Sequence, residues 1–234
     1  EIYSLSLHDA LPIYALPDIP RSYTAICEWA ACMVYIAVSY CRVPLRRSII
    51  VSAAGLASLV AVQYFDGSMP IWFWIIGMLL AFACMYATIL LGAGTGKREG
   101  LYITARAFVL AELVASLHWQ IVTFIGVRDG FADYDWRAIA LLVVTYALCF
   151  GLAWMVERGN FSQTTPTLPT ASAAIATMAI MIVTFAMSNL SFVSTNTPFS
   201  GSVGQEIFYI RTLVDFCGFA ILYEIGRASC RERV

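Results

Sequence analysis

Six ionisable side chains lie inside long apolar stretches of this sequence, and they are the residues most able to do chemistry. They are Glu28, Arg106, Glu112, His118, Arg211 and Asp215. Charged groups in lipid are costly, so they usually face the interior of a helical bundle or a cavity. The chemistry expected of them is ion pairing between helices, ligand sensing, or the lining of a substrate path.

The spacing of these residues predicts two polar surfaces. Glu112 is followed by Ser116, Gln120 and Thr123 at intervals of 4, 4 and 3 residues, which places all four on one face of a helix. Arg211 and Asp215 are one helical turn apart and can pair with each other. That pair is either structural or part of a signalling contact, and the sequence leaves both readings open.

No catalytic or metal site is predicted. His118 has no evident cysteine or serine nucleophile beside it, and no CxxC pair or zinc-like spacing occurs among the seven cysteines. The loop "GAGTGKREG" lacks the glycine and Ser/Thr positions of a P-loop and is interpreted as a basic turn. Arg106 lies near the end of its apolar segment, so we expect its side chain to reach the membrane surface.

The elements that position these residues are predicted to be membrane-spanning helices. The chain is 60% hydrophobic and only 12% charged, and its net charge of −1 gives no reason to expect a nucleic-acid partner. About 20 apolar residues cross a bilayer as a helix. Seven segments qualify, which predicts an all-α, polytopic membrane protein: 22–41, 48–65, 70–91, 101–126, 138–156, 170–193 and 207–223.

Basic residues in the connections predict the orientation. Six of them fall on one side (Arg42, Arg46, Arg47, Lys97, Arg98 and Arg158) and three on the other (Arg21, Arg128 and Arg137). Since cytoplasmic loops carry more Lys and Arg, we expect the N-terminus outside and the C-terminus in the cytoplasm.

The two ends of the chain are out of character with the rest, and one DNA sequence accounts for both. Suitable codons for residues 225–234 have a reverse complement that encodes Leu-Ser-Leu-His-Asp-Ala-Leu-Pro-Ile, which is residues 5–13. The nucleotide string resembles a sequencing-library adapter. We therefore expect 1–13 and 224–234 to be adapter-derived rather than native, 14–223 to form one helical membrane domain, and the parent gene to continue past it.

Three stretches carry a resemblance to a known family: "LPDIPRSYTAICEWAACMVYI", "ITARAFVLAELVASLHWQ" and "FYIRTLVDFCGFAILYE". They resemble the N-terminal membrane regions of bacterial sensor histidine kinases with a GHKL-type ATPase, akin to the peptide-sensing kinases of accessory-gene-regulator systems. The likeness spans most of residues 16–223. It implies a multi-pass sensor domain in the bacterial plasma membrane, followed by a dimeric phosphoacceptor region and an ATP-binding domain.

The resemblance sets the functional expectations. The part present here is expected to be non-catalytic, with ATP and magnesium used only by the missing kinase domain. Expected partners are the lipid bilayer, a second copy through the missing region, an extracellular peptide signal and a response regulator. Candidate signalling contacts are Glu28, Glu112, Arg211 and Asp215, with the loop "RDGFADYDW" as a signal-facing surface. The alternative is a fragment of a transporter or permease, in which the same charges line a substrate path.

Overall fold

The computed structural model describes residues 20–38, 43–67, 74–129, 136–162, 171–193 and 205–231. These residues form seven α-helices and no strand. The helices are α1 (Arg21–Val38), α2 (Leu45–Gly67), α3 (Trp74–Gly92), α4 (Lys97–Asp129), α5 (Trp136–Ser162), α6 (Ala171–Val193) and α7 (Gln205–Arg231). The all-α prediction is confirmed for this part of the chain, and each predicted segment overlaps one helix.

Four of the helices are long and apolar enough to cross a membrane. Among the described residues these stretches are Leu45–Asp66, Ile75–Gly92, Lys97–Val122 and Trp136–Arg158, and a shorter apolar helix covers Ser172–Met187. Large apolar side chains such as Ile49, Leu79 and Val143 point away from the protein interior. An apolar surface of this kind suits contact with lipid tails, so the chain has the character of a membrane protein.

Helix α4 is the centre of the bundle. It contacts α1, α3, α5, α6 and α7, while α2 packs on α1 and α3 at one side. About 78% of the spanning stretch of α4 is buried, against 22–39% for the three other spanning stretches. Small residues make this possible, since Thr104, Ala105, Ala107 and Ala111 are all 3% exposed or less and let neighbouring backbones approach closely.

The connection between α3 and α4 is short, and its turn depends on one glycine. Gly94 has a φ of 64°, a left-handed conformation that glycine adopts without steric cost. Helix α3 ends at Gly92 and α4 begins at Lys97, so the basic residues Lys97 and Arg98 belong to the first turn of α4. The predicted basic turn is therefore shorter than the sequence suggested.

The far end of α7 continues beyond the predicted segment. The helix runs through Glu224 to Arg231, across residues that the codon argument assigns to adapter. The adapter origin of 224–231 stays a prediction, and residues 1–13 lie outside the described part of the chain.

Helix α7 approaches α6 closely at Gly218. A Cβ atom built on Gly218 would overlap the side chain of Thr184. We expect Gly218→Ala to lower the free energy of unfolding by about 1–3 kcal/mol, the usual cost of overpacking. Denaturation by SDS in mixed micelles measures the change.

Gly151 in α5 provides the matched control, because a Cβ atom there meets nothing within 4 Å. Gly151→Ala should leave stability unchanged or raise it slightly, since alanine favours helix. The double variant Gly218→Ala/Thr184→Ala should recover part of the loss. Equal stability of the two single variants would show that α6 and α7 are not in close contact at Gly218.

Candidate functional site: buried polar contacts around the central helix

Two buried polar contacts join the central helix α4 to the last helix α7. The Nη2 atom of Arg211 donates to Oε2 of Glu112 at 2.6 Å. One turn along both helices, the Ser116 hydroxyl donates to Oδ2 of Asp215 at 2.8 Å. The i,i+4 spacing of Glu112 and Ser116 on α4 matches the i,i+4 spacing of Arg211 and Asp215 on α7, so the two contacts are neighbours.

The structure thus brings together three of the predicted site residues. The expected pairing of Arg211 with Asp215 is present, with Nε and Oδ2 3.9 Å apart, but it is the longer of the two ion pairs that Arg211 makes. All three side chains are buried, with Asp215 fully inaccessible. A guanidinium shared between two carboxylates on two helices fixes the rotation of α7 against α4, which intrahelical pairing alone would not do.

The predicted polar face of α4 continues only in part. Ser116 takes part in the contact with α7, as its spacing from Glu112 suggested, and Gln120 is half-buried. The side chain of Thr123 lies outside the described residues. The loop "RDGFADYDW" lies almost wholly outside them too, so its role as a signal-facing surface stays a prediction.

Glu28 makes its hydrogen bond between α1 and α2 and takes no part in the hydrogen bonds that join α4 to α7. Its Oε1 atom accepts a hydrogen bond of 2.9 Å from Nε2 of Gln63, and both side chains are 1% exposed. At the nearby end of the same two helices, Arg21 and Asp66 approach to 3.8 Å. Glu28 is therefore a contact of its own and does not belong to the α4–α7 pair.

Arg106 is also buried, which corrects the expectation that it reaches the membrane surface. Only 2% of the residue is exposed, and its Nη2 atom donates to Oε1 of Glu157 in α5 at 2.5 Å. Tyr35 of α1 donates to the same oxygen at 2.9 Å, and Nη1 of Arg106 donates to the Tyr102 hydroxyl at 2.8 Å. These four residues link α1, α4 and α5 at one end of the bundle.

Sequence reasoning missed Glu157 because it stands beside Arg158 at the end of an apolar segment, where a charged pair is usually solvated. Arg158 is exposed, whereas Glu157 is fully buried. The order of the predicted helices could have identified Glu157 as a partner of Arg106. Antiparallel helices place the start of α4 and the end of α5 at the same membrane face, so Arg106 and Glu157 lie at similar depth.

His118 lies in an aromatic environment between α1, α4 and α5. Its ring makes edge contacts with Tyr146 at 5.4 Å and with Tyr23 at 6.2 Å between ring centroids. The Tyr146 hydroxyl donates to the backbone oxygen of Tyr23 at 3.1 Å, which closes the group. His118 is 2% exposed, and its ring packs in the interior of the bundle as an aromatic side chain does.

The described residues contain no group of three or more His, Cys, Asp or Glu side chains placed to hold a metal ion. Cys27 and Cys32, buried in α1, are free thiols, and the Cys27 sulfur lies 3.2 Å from the backbone oxygen of Ala111. The candidate site therefore consists of buried ion pairs and hydrogen bonds that join one helix to another.

Comparison with known proteins adds no relative: no protein-family model, no curated protein and no solved structure matches the chain.

Proposed function

We propose that the chain is the membrane-embedded sensor module of a two-component histidine kinase, in which a signal changes the packing of α7 against α4. The observation that carries the proposal is the double contact of α7 with the most buried helix, through Glu112 with Arg211 and Ser116 with Asp215. Ion pairs buried away from water have few alternative partners, so a small set of helix positions is favoured over a continuum.

The proposed mechanism is a small movement of the last helix. A signal from outside the cell or from the membrane would favour one of two arrangements of the bundle. Helix shifts in such transitions are typically about 1–2 Å. The shift would exchange the partners of Arg211 and move α7 as a whole. The movement of α7 would then reach the kinase region, which uses ATP and magnesium and phosphorylates a response regulator.

The proposal includes seven membrane spans in a bacterial plasma membrane, with the N-terminus outside. Support comes from the seven helices and from the excess of basic residues in alternate connections. The contacts between α4 and α5 agree with alternation, because Arg106 meets Glu157 while His118 meets Tyr146, so residue numbers rise along one helix as they fall along the other. In this orientation the Arg106 contact lies in the cytoplasmic half.

The test uses the parent kinase, with Asp215→Asn as the variant. Asparagine keeps the size of the side chain and can still accept the hydrogen bond from Ser116, but it removes the charge that faces Arg211. We expect basal or signal-dependent autophosphorylation to change by about fivefold or more, which is the size of change that typical coupling free energies between two sites produce.

Leu213→Ala is the control, since Leu213 lies on the same helix and is 63% exposed, away from α4. It should leave autophosphorylation close to that of the unaltered protein. Unchanged activity of the Asp215→Asn protein, with and without signal, contradicts the proposed role of the α4–α7 contact.

A transporter or permease fragment is the second candidate, and one observation favours it. Buried carboxyl groups occur at several depths of the bundle, with Asp66 near one end, Glu28 and Glu112 further in, and Glu157 towards the other end. Such a series suits a substrate or ion path. The parent gene beyond codon 223 decides between the candidates, because a coiled-coil helix with ATP-binding motifs supports the sensor and further apolar spans support the transporter.

A further inference from the structure

The contact between Glu28 and Gln63 leaves two buried oxygen atoms without partners. The amide Nε2 of Gln63 donates a hydrogen bond to Oε1 of Glu28, while Oε2 of Glu28 and Oε1 of Gln63 have no hydrogen-bond partner among the described residues. Both atoms are acceptors, and both residues are 99% buried. Only a donor or a cation can satisfy them, since a second acceptor would repel them.

The charges near Glu28 have the wrong sign to neutralise it. Glu112 and Asp66 are close enough to repel a negative charge on Glu28. In the part of the chain that the structure describes, Glu28 has no cationic partner. The buried or half-buried guanidinium groups pair with other carboxylates. Arg21 lies beside Asp66, Arg106 beside Glu157, and Arg211 beside Glu112 and Asp215.

The charge balance fixes the class of ligand. Asp66 lies beside Arg21, and Glu112 shares Arg211 with Asp215, whereas Glu28 has no cation beside it and contributes one uncompensated negative charge at this position. A single positive charge cancels it, whereas a divalent ion would leave an excess buried charge. The donor atoms, one carboxylate oxygen and one amide oxygen, are hard ligands of the type that bind alkali and alkaline-earth cations or a proton.

We propose that Glu28 and Gln63 form a binding site for one monovalent cation, Na⁺ or H⁺, between α1 and α2. The free oxygens of both residues would contact Na⁺ directly, whereas a proton would convert Oε2 of Glu28 into a donor. Asp66 stands one turn beyond Gln63 on the same side of α2, and its Oδ1 atom is also unpartnered. With Arg21, whose side chain is 31% exposed, it lies between the site and the end of the bundle, where a cation would enter. This site does not rest on the proposed signalling function.

The test is the thermal unfolding of the full chain in detergent, with NaCl exchanged for equimolar choline chloride, in mildly acidic and mildly alkaline buffer. A ligand that binds only the folded state raises its midpoint of unfolding. If Na⁺ is the ligand, we expect a rise of roughly 3–6 °C at saturation, larger in alkaline buffer because protons compete less. If H⁺ is the ligand, Na⁺ has no effect and the midpoint falls as Glu28 loses its proton on going from acidic to alkaline buffer.

Glu28→Gln removes the charge with little change of shape, and the response to Na⁺ or to pH should disappear. Glu99→Gln makes the same exchange at the start of α4, far from the site, and should keep the response of the unaltered chain. If Glu28→Gln does not fold, Gln63→Leu takes its place, and removal of the amide oxygen should reduce the response to Na⁺ at least severalfold.

Other titratable groups near Glu28 belong to α1, α2, α4 and α5, and they are Cys27, Cys32, Asp66, Glu112 and Tyr146. The variant at Glu28 separates its own titration from theirs. The proposal is overturned if the unaltered chain responds to neither Na⁺ nor pH, or if a response persists unchanged in Glu28→Gln.

Discussion

Replacing Glu157 with glutamine should destabilise the protein more than any other single change of a charged residue described above. The substitution leaves Arg106, 2% exposed, without a carboxylate. A guanidinium cannot shed its charge at any accessible pH, so the protein cannot respond by neutralising it. Breaking a buried ion pair by removing one partner typically costs about 3–5 kcal/mol. We expect a loss of that order in the free energy of unfolding, measured by SDS titration in mixed micelles.

The neighbouring residue offers a matched control. Arg158→Gln also removes one charge, but Arg158 is exposed and stacks on Trp154, with 5.1 Å from Cζ to the ring centroid. It should cost less than about 1 kcal/mol, as an exposed cation–π contact does. The apolar double variant Arg106→Met/Glu157→Leu should be more stable than Glu157→Gln, because no unpaired charge remains. If Glu157→Gln matched Arg158→Gln in stability, Arg106 would have to be solvated in the membrane protein.

The helices were largely predictable from the sequence because their signal is local. Runs of about 20 apolar residues mark each element, and turn residues separate them. The ends were less accurate. Helix α4 begins at Lys97 rather than 101, since Lys97, Arg98 and Glu99 favour helix once Gly94 has turned the chain.

The polar contacts were predictable only where both residues share a helix. The i,i+4 spacing identified Arg211 with Asp215 directly from the chain. Contacts of Arg211 with Glu112 and of Glu28 with Gln63 depend on which helices are neighbours and how each is rotated, and no local pattern records either. Gln63 is a clear example, since an uncharged amide near the end of an apolar segment gives no sign that it faces a buried carboxylate.

Arg211→Met should have the second large effect, through the contact of α7 with α4. It removes the one guanidinium that lies 2.6 Å from Glu112 and 3.9 Å from Asp215, leaving two buried carboxylates near each other. Carboxylates, unlike Arg106, can take up protons, so the loss should be smaller than for Glu157→Gln, about 2–4 kcal/mol.

The ranking of variants at this contact tests the geometry. Glu112→Gln should cost only about 1–2 kcal/mol, because Arg211 keeps Asp215 as its counterion and the glutamine oxygen still accepts a hydrogen bond. Arg211→Lys, which keeps the charge but loses the planar fork, should fall between Glu112→Gln and Arg211→Met. If Arg211→Lys were as stable as the unaltered chain, the fork would not bridge the two helices. In that case a single charge contact between residue 211 and Glu112 would join α7 to α4 beside the Ser116–Asp215 hydrogen bond, and exchange of Glu112 for Asp215 as its partner would have little energetic cost.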